Sequence, residues 1–188
     1  LTFQKGGKYA IVGRSGCGKT TLLKLLLGQL KGYEGKILYD GKELSSYDVD
    51  SFYEQMAYIE QSIFLFDTSI RNNITLGDGV SAEKLEEILA MSALKEEIKK
   101  FPDGLETKAG ENGKNLSGGQ KQRIAVARAL AHDRQILFVD EGTSALDAEN
   151  AMVIEQALLL CKNLTLILIT HHMKEENLPL FDKVYRLG

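Results

Sequence analysis

Short, near-continuous apolar runs alternate along this chain with stretches in which apolar residues recur at helical spacing. Tyr9 to Val12 is the first run; a glycine-rich segment follows it, then a helical stretch from Thr20 to Leu30. Met56 to Ile59 is a short buried strand. Gln135 to Val139 and Leu164 to Ile169 are nearly uninterrupted, as parallel strands covered on both faces tend to be. Lys183 to Leu187 reads as a last, shorter strand. Lys36 to Tyr39 and Lys42 to Leu44 flank an Asp40-Gly41 pair, the signal of a tight hairpin. Strands alternating with helices predict an α/β fold with a mostly parallel sheet and a small antiparallel part.

Between Ile63 and Leu116 the character changes. Leu85, Ile88 and Leu89 recur at helical spacing among charged residues, and a Phe101-Pro102-Asp103-Gly104 turn follows. This predicts three segments: residues 1–62 as the first part of an α/β core, 63–116 as an inserted α-helical subdomain, and 132–188 as the second part of the core. A helix opening near residue 117 continues the insertion to about Ala131.

The 188 residues suffice for one compact domain carrying such an insertion. With 23 basic and 26 acidic residues the net charge is −3, which argues against a broad nucleic-acid-binding face. Any anion must therefore be held by a local site. The two cysteines, Cys17 and Cys161, do not suggest a disulfide framework. No apolar run approaches the roughly 18 residues that span a bilayer. The chain opens at Leu1, close to its first motif, which reads as a piece of something longer.

Gly13-Arg14-Ser15-Gly16-Cys17-Gly18-Lys19-Thr20 fits the phosphate-loop pattern G-x-x-x-x-G-K-S/T and lies between a predicted strand and a predicted helix. The glycines let the backbone curl so that N–H groups point inward at a phosphate, and the helix adds its positive end. In this reading Gly13, Ser15, Gly16, Cys17, Gly18, Lys19, Thr20 and Thr21 bind ATP. Lys19 reaches the β- and γ-phosphates, and Thr20 offers a hydroxyl to Mg²⁺. A plain glycine-rich turn would use the same residue types, but the strand–loop–helix context favours the nucleotide.

Asp140 and Glu141 follow the run Ile136 to Val139, at the edge where open α/β sheets bind ligands. Asp140 is placed to hold Mg²⁺ and Glu141 to polarise the water that attacks the γ-phosphate. Two acids after a strand could equally cap a helix; a phosphate loop in the same chain favours catalysis. His171 follows the strand Leu164 to Ile169 and should emerge at the same edge, where it can donate to the γ-phosphate. His172 must point elsewhere, and His132 lies at a helix end. Gln61, just beyond Met56 to Ile59, could touch the metal or the attacking water.

Ser117-Gly118-Gly119-Gln120 precedes the helix that runs to about Ala131. Ser117 is a natural N-cap, and the glycines bare N–H groups at the helix's positive end, a second place shaped for phosphate. Arg123 and Arg128 in that helix are either solvated or paired with acids of the insertion.

Together these residues resemble the ATP-binding cassette family, specifically the nucleotide-binding domain of an ABC transporter. Gly13 to Thr20 is similar to Walker A, Ile136 to Asp140 with Glu141 to Walker B and the catalytic glutamate, and Gln61 to the Q-loop. Leu116 to Gln120 matches the LSGGQ signature, Ser144-Ala145-Leu146-Asp147 the D-loop, and His171 the switch histidine. The resemblance implies a P-loop NTPase core, ATP and Mg²⁺ as cofactors, and head-to-tail pairing with a second nucleotide-binding domain. Ser117, Gly119 and Gln120 would then act on ATP in trans, with Asp147 at the seam. Lys19, Gln61, Glu141 and His171 form the implied catalytic set, and Thr20, Gln61 and Asp140 the implied metal set.

Phe64 to Ile74 and Gly110 to Gly113 resemble exporters of the multidrug or peptide type, which commonly carry a transmembrane domain on the same polypeptide. That implies ATP hydrolysis driving export at the cytoplasmic face of the cell membrane, with this domain peripheral and no nucleic-acid partner. The alternative is a soluble, ribosome-associated ATPase of the same family. An unrelated P-loop kinase would have to ignore LSGGQ. Two departures stand out. The family's adenine-stacking aromatic lies upstream of the phosphate loop, before Leu1, which implies weaker ATP affinity for this segment alone. Gly142 stands where alanine is usual, which implies a looser Glu141.

Overall fold

The computed structural model describes residues 1–143, 145–171 and 173–188. β1 (Lys8–Gly13) runs into a glycine loop and α1 (Lys19–Leu26) leaves it. β2 (Leu38–Tyr39) and β3 (Lys42–Glu43) form the hairpin, with Asp40 and Gly41 at φ 49° and 78°. Two positive φ angles are what the favoured two-residue turn demands. A short helix not foreseen in the sequence, α2 (Val49–Tyr53), precedes β4 (Met56–Ile59). Then come α3 (Ile70–Thr75), α4 (Ala82–Met91) and α5 (Lys95–Ile98), and the longer α6 (Gly118–Ala131). β5 (Ile136–Asp140), α7 (Ala148–Leu160), β6 (Thr165–Thr170) and β7 (Lys183–Leu187) complete the chain.

The helix expected over Thr20 to Leu30 stops at Leu26, and the reason is local. Gly28 adopts φ 71°, its N–H donates to Leu25 O at 3.0 Å, and Gln29 N–H donates to Lys24 O at 2.8 Å. That bond pair is the glycine-terminated helix end, readable in principle from Gly28 itself. The Tyr39 and Tyr53 hydroxyls then donate to Leu26 O and Leu27 O at 2.7 and 2.8 Å, occupying carbonyls the helix leaves open.

All neighbours in the five-stranded sheet are parallel, in the order β4-β5-β6-β1-β7. Alternate residues divide two cores. Tyr9, Ile11, Phe138, Ile167 and Ile169 pack against Leu23 of α1 and Leu27, which caps its end, on one face. Leu137, Val139, Leu166 and Leu168 pack against α6 and α7 on the other. The mixed α/β fold and the small antiparallel hairpin are as the sequence predicted.

A third core lies among the helices, where Ile70 and Ile74 meet Leu85, Ile88 and Leu89. α6 belongs to two cores at once. Its Ala125 and Val126 face the sheet, while Ile124, Ala127 and Ala131 face the helical cluster. The helix is thus packed on two sides, with Gln122 and Arg123 buried among its apolar residues.

Among the described residues Arg128 pairs with no acid, contrary to the alternatives of solvation or an acidic partner. Its guanidinium donates to Asn73 O at 2.7 Å, Asn73 Oδ1 at 3.0 Å and Phe64 O at 3.1 Å. Asn73 is fully buried; its amide donates to Phe66 O and its oxygen accepts from Phe66 N–H, both at 2.9 Å. One side chain thereby fastens the loop after Gln61 to α3 and, through Arg128, to α6. Asn73→Ala would strand several buried partners and should cost about 2–3 kcal/mol of stability, read by urea denaturation. A loss below about 0.5 kcal/mol would mean that these groups find other partners.

Candidate functional site

β1 ends at Gly13, where an added Cβ would lie 2.5 Å from Leu187 O and 2.6 Å from Cys17 Sγ. Only glycine fits between the loop and the edge strand β7. Gly16 and Gly18 take φ 80° and 94°, the left-handed conformations that curl the loop. α3, α4, α6 and α7 are each capped by a Ser or Asp side chain, whereas Gly18 gives α1 no side-chain cap. The first N–H groups of α1, from Lys19, Thr20 and Thr21, are thus available to an anion. Lys19 is buried and donates to Gly13 O at 2.7 Å and Arg14 O at 2.9 Å, so its ammonium is folded back over its own loop. Ser15 is exposed, and the half-buried Cys17 thiol packs beside Gly13.

Because β5 pairs with β6 and β6 with β1, the ends of all three strands reach one edge. Thr20 Oγ1 donates to Asp140 Oδ2 at 3.2 Å. Asp140 is buried, and burial raises its pKa above the ordinary carboxylate range; the neighbouring Glu141 charge adds to the rise and the Thr20 bond opposes it.

The next residue leaves the strand abruptly. Glu141 has φ 51°, uncommon for a side chain other than glycine, and its N–H donates to Ile169 O at 3.0 Å. Its carboxylate is reached from both sides. Gln61 Nε2 donates to Oε2 at 3.1 Å, and His171 Nδ1 lies 3.0 Å from Oε1. A carboxylate can only accept here, so Nδ1 carries the proton. Three residues singled out separately in the sequence therefore meet in space. Gln61 is bonded to Glu141, while Thr20 and Asp140 of the implied metal set are bonded to each other.

The signature segment is a separate structure. Ser117 Oγ accepts from Gln120 N–H at 3.2 Å and Gln120 Oε1 accepts from Ser117 N–H at 2.9 Å, a reciprocal cap on α6. Gln120 Nε2 donates to Glu97 Oε2 at 3.2 Å, and Arg123 approaches Glu97 Oε1 at 3.3 Å. So Arg123 pairs with an acid of the insertion and Arg128 does not. Lys100, Gln120 and Arg123 hold the Glu97 carboxyl below its ordinary range. Glu97 was not foreseen, because nothing local marks a residue 23 positions before the glutamine it binds. Gly118 and Gly119 pack on Ala145 and Leu146, where a Cβ on Gly119 would come within 3.3 Å of Leu146. Ser144 and His172 lie outside the described residues. Among the described residues, the bonds of Ser117 and Gln120 stay within their segment and with Glu97, apart from the phosphate loop.

His132 closes α6 and lies 3.2 Å from Asp78. A cavity of about 470 Å³ opens on the α1 face of the sheet, between the hairpin and Phe52, Met56, Phe138 and Ile167. None of the phosphate-loop, Asp140–Glu141, Gln61, His171 or signature residues lines it; Lys5 and Lys36 stand with apolar residues around it.

The family model for the ABC transporter matches residues 1–144. The chain belongs to that family. The "Heterocyst differentiation ATP-binding protein HepA" of Nostoc sp. is 41% identical over 175 residues, covering 92% of this chain and 29% of the relative. The "ATP-dependent lipid A-core flippase" of Escherichia coli is 43% identical over 176 residues, covering 92% and 30%. The "Sophorolipid transporter" of Starmerella bombicola is 40% identical over 179 residues, covering 92% and 14%. A solved structure of a bacterial Atm1-family ABC exporter with ATP bound superposes with a TM-score of 0.90 at 33% identity, covering 100% of this chain and 33% of that one. The chain spans less than a third of the length of these curated relatives. As a member of that family, the chain binds ATP.

The ABC transporter resemblance singled out Gly142 as a place where alanine is usual, and the surroundings explain the glycine. An added Cβ would lie 2.5 Å from Val139 Cγ1 and 3.2 Å from Ile59 Cγ2. Val139 and Ile59 fill the space an alanine methyl would take, so the expected loosening of Glu141 is offset by packing. Gly142→Ala should consequently destabilise the domain by about 1 kcal/mol, overpacking outweighing the entropy gain. A raised melting temperature for that variant would contradict this.

Proposed function

We propose that this chain is the ATP-hydrolysing nucleotide-binding domain of an ABC exporter. The observation that carries the reading is the convergence of Gln61 and His171 on Glu141, next to the Thr20–Asp140 pair. The phosphate loop, from Gly13 to Thr21 and including Ser15, Gly16, Cys17 and Gly18, wraps the phosphates with backbone N–H groups. Lys19 exchanges its bonds to Gly13 O and Arg14 O for bonds to the β- and γ-phosphates, a trade of neutral acceptors for charged ones.

Thr20, Asp140 and the Gln61 amide oxygen are hard oxygen donors that suit Mg²⁺ and would hold it. When bound, the ion would neutralise charge on the β- and γ-phosphate oxygens. Glu141 draws the proton of the attacking water, and Gln61 and His171 hold its carboxylate in place. His171 is within reach of the γ-phosphate once ATP is seated.

The capped start of α6 is the second half of the site in this reading. Ser117 Oγ accepts the helix N–H and retains its own proton to donate across a head-to-tail seam to ATP on a second nucleotide-binding domain. Gly119 and Gln120 flank it, and Asp147, capping α7, stands beside Arg123 at 3.8 Å. Residues 1–62 and 132–188 act as the core and 63–116, with α6, as the helical subdomain that carries the signature. Export through a transmembrane domain, at the cytoplasmic face of the cell membrane and without nucleic acid, is supported by relatives named as a transporter, a flippase and an exporter. No described helix of this chain is long and apolar enough to cross a membrane. No comparison supports the ribosome-associated alternative.

Glu141→Gln should bind ATP within about twofold of the parent while turnover falls by at least about 100-fold. Wild-type turnover in that variant would remove Glu141 from its role. Ser117→Arg should leave ATP binding by the single domain intact, at a cap cost of about 1 kcal/mol, and abolish ATP-dependent dimerisation on size exclusion. Dimerisation at the parent level would detach the α6 start from the seam.

A further inference from the structure

Glu155 lies midway along α7, one turn after the buried Ala151 and next to the fully buried Ile154. Its side chain is 14% exposed, and a carboxylate so placed needs partners. It has three, and they come from two different loops. Thr143 Oγ1 donates to Oε1 at 2.8 Å. Asn177 Nδ2 donates to Oε2 at 2.9 Å, and Lys174 Nζ lies 3.5 Å from the same oxygen. Asn177 is 2% exposed. The Lys174 ammonium is buried and has no hydrogen bond among the described residues, so the Glu155 charge is its compensation.

Thr143 is two residues after Glu141, and Lys174 is three after His171. β5 and β6 deliver both loops to the same edge, with Asp140 opposite Ile169. At the front of that edge the loops touch through the 3.0 Å contact of His171 with Glu141. Behind it Glu155 joins them again. The ring closes through Thr143, Glu155, Asn177 and the chain back to His171. Each loop is thus tied at two points, which limits how far Glu141 and His171 can drift apart.

We propose that Glu155 is a positioning residue for ATP hydrolysis, whose carboxylate straps the loop after Glu141 to the loop after His171 and holds the two side chains in register. This rests on the reading of Glu141 as the base with His171 as its neighbour. Phosphate binding lies on β1 and α1, away from the strap. Loss of the strap therefore lowers the rate of the chemical step and spares the grip on ATP.

The test is steady-state ATP hydrolysis by the intact protein, with fluorescent-nucleotide affinity and melting temperature measured in parallel. Glu155→Ala should lower kcat by about 10- to 100-fold, as misplacing reacting groups by about 1 Å does, with KM for ATP within about twofold. Glu155→Gln should restore kcat to within about threefold, because its amide can accept from Asn177 and donate to Thr143. A purely structural role would lower the melting temperature while leaving kcat per folded molecule unchanged. Should Glu155→Ala fail to fold with Lys174 uncompensated, Thr143→Val cuts one end of the strap without stranding a charge and should lower kcat by about tenfold. Unchanged kcat in folded Glu155→Ala, or in Thr143→Val when the alanine variant does not fold, overturns the strap. If Glu141→Gln is inactive at the same time, only the strap has failed. If Glu141→Gln retains full turnover, the reading of the base fails and the strap fails with it.

Discussion

β5 and β6 run parallel with Asp140 opposite Ile169, and β6 runs parallel to β1 with Thr170 opposite Val12. That ladder brings the phosphate loop, the Asp140–Glu141 pair and His171 to one edge. Parallel strands require crossovers that return the chain to the starting edge, so every strand presents its carboxyl end on the same side. Shifting β6 by one residue would turn Leu166 and Leu168 toward the α1 face and Ile167 and Ile169 toward α7, exchanging two packed cores. The catalytic geometry is therefore guarded by ordinary hydrophobic burial on both faces of the sheet. It does not depend on the polar contacts alone.

α6 extends that control to the second anion site. Its sheet-facing residues Ala125 and Val126 tie it to the core, and Ile124 and Ala127 tie it to α3 and α4. The reciprocal cap at Ser117 and the Glu97 bonds to Gln120 and Arg123 then fix the orientation of the helix start. Arg128, near the other end of the same helix, holds the loop that carries Phe64 and Phe66 through Asn73. A movement of α6 would be felt at both ends. The Ser117 segment and the loop after Gln61 are mechanically one piece with it.

Much of this was legible in the sequence because it rests on local rules. The five sheet strands announce themselves as apolar runs, and their observed limits differ from expectation by at most a residue. Asp40-Gly41 specifies its turn through two left-handed residues, and Ser117 specifies its cap through a glutamine three positions on. What stayed hidden was set by partners distant in sequence. Arg128 offered no sign that it would meet backbone carbonyls of Asn73 and Phe64 instead of an acid, since the choice depends on how α3 packs on α6. Glu97 and Glu155 looked like ordinary helix-surface acids; tertiary packing alone gives them partners 23 and 12 positions away. Local signals were overlooked too: Gly28 shortened α1 by its own backbone geometry, and Asp48 caps α2 by accepting from Ser51 N–H.

The polar groups of the nucleotide site already have partners within the chain. Lys19 is bonded to two carbonyls, Thr20 to Asp140, Glu141 to Gln61 and His171, and Ser117 to Gln120. In the proposed function ATP would therefore exchange bonds instead of simply adding them, and an exchange of neutral hydrogen bonds is worth only about 1 kcal/mol each. In that reading the net gain would come from the charge-assisted bonds of Lys19 and the α1 N–H groups to phosphate oxygens, which are roughly twice as strong as neutral ones. The Glu155 strap ties the loops after Glu141 and His171 without using either of those side chains, so it stands apart from the bonds that such an exchange would break.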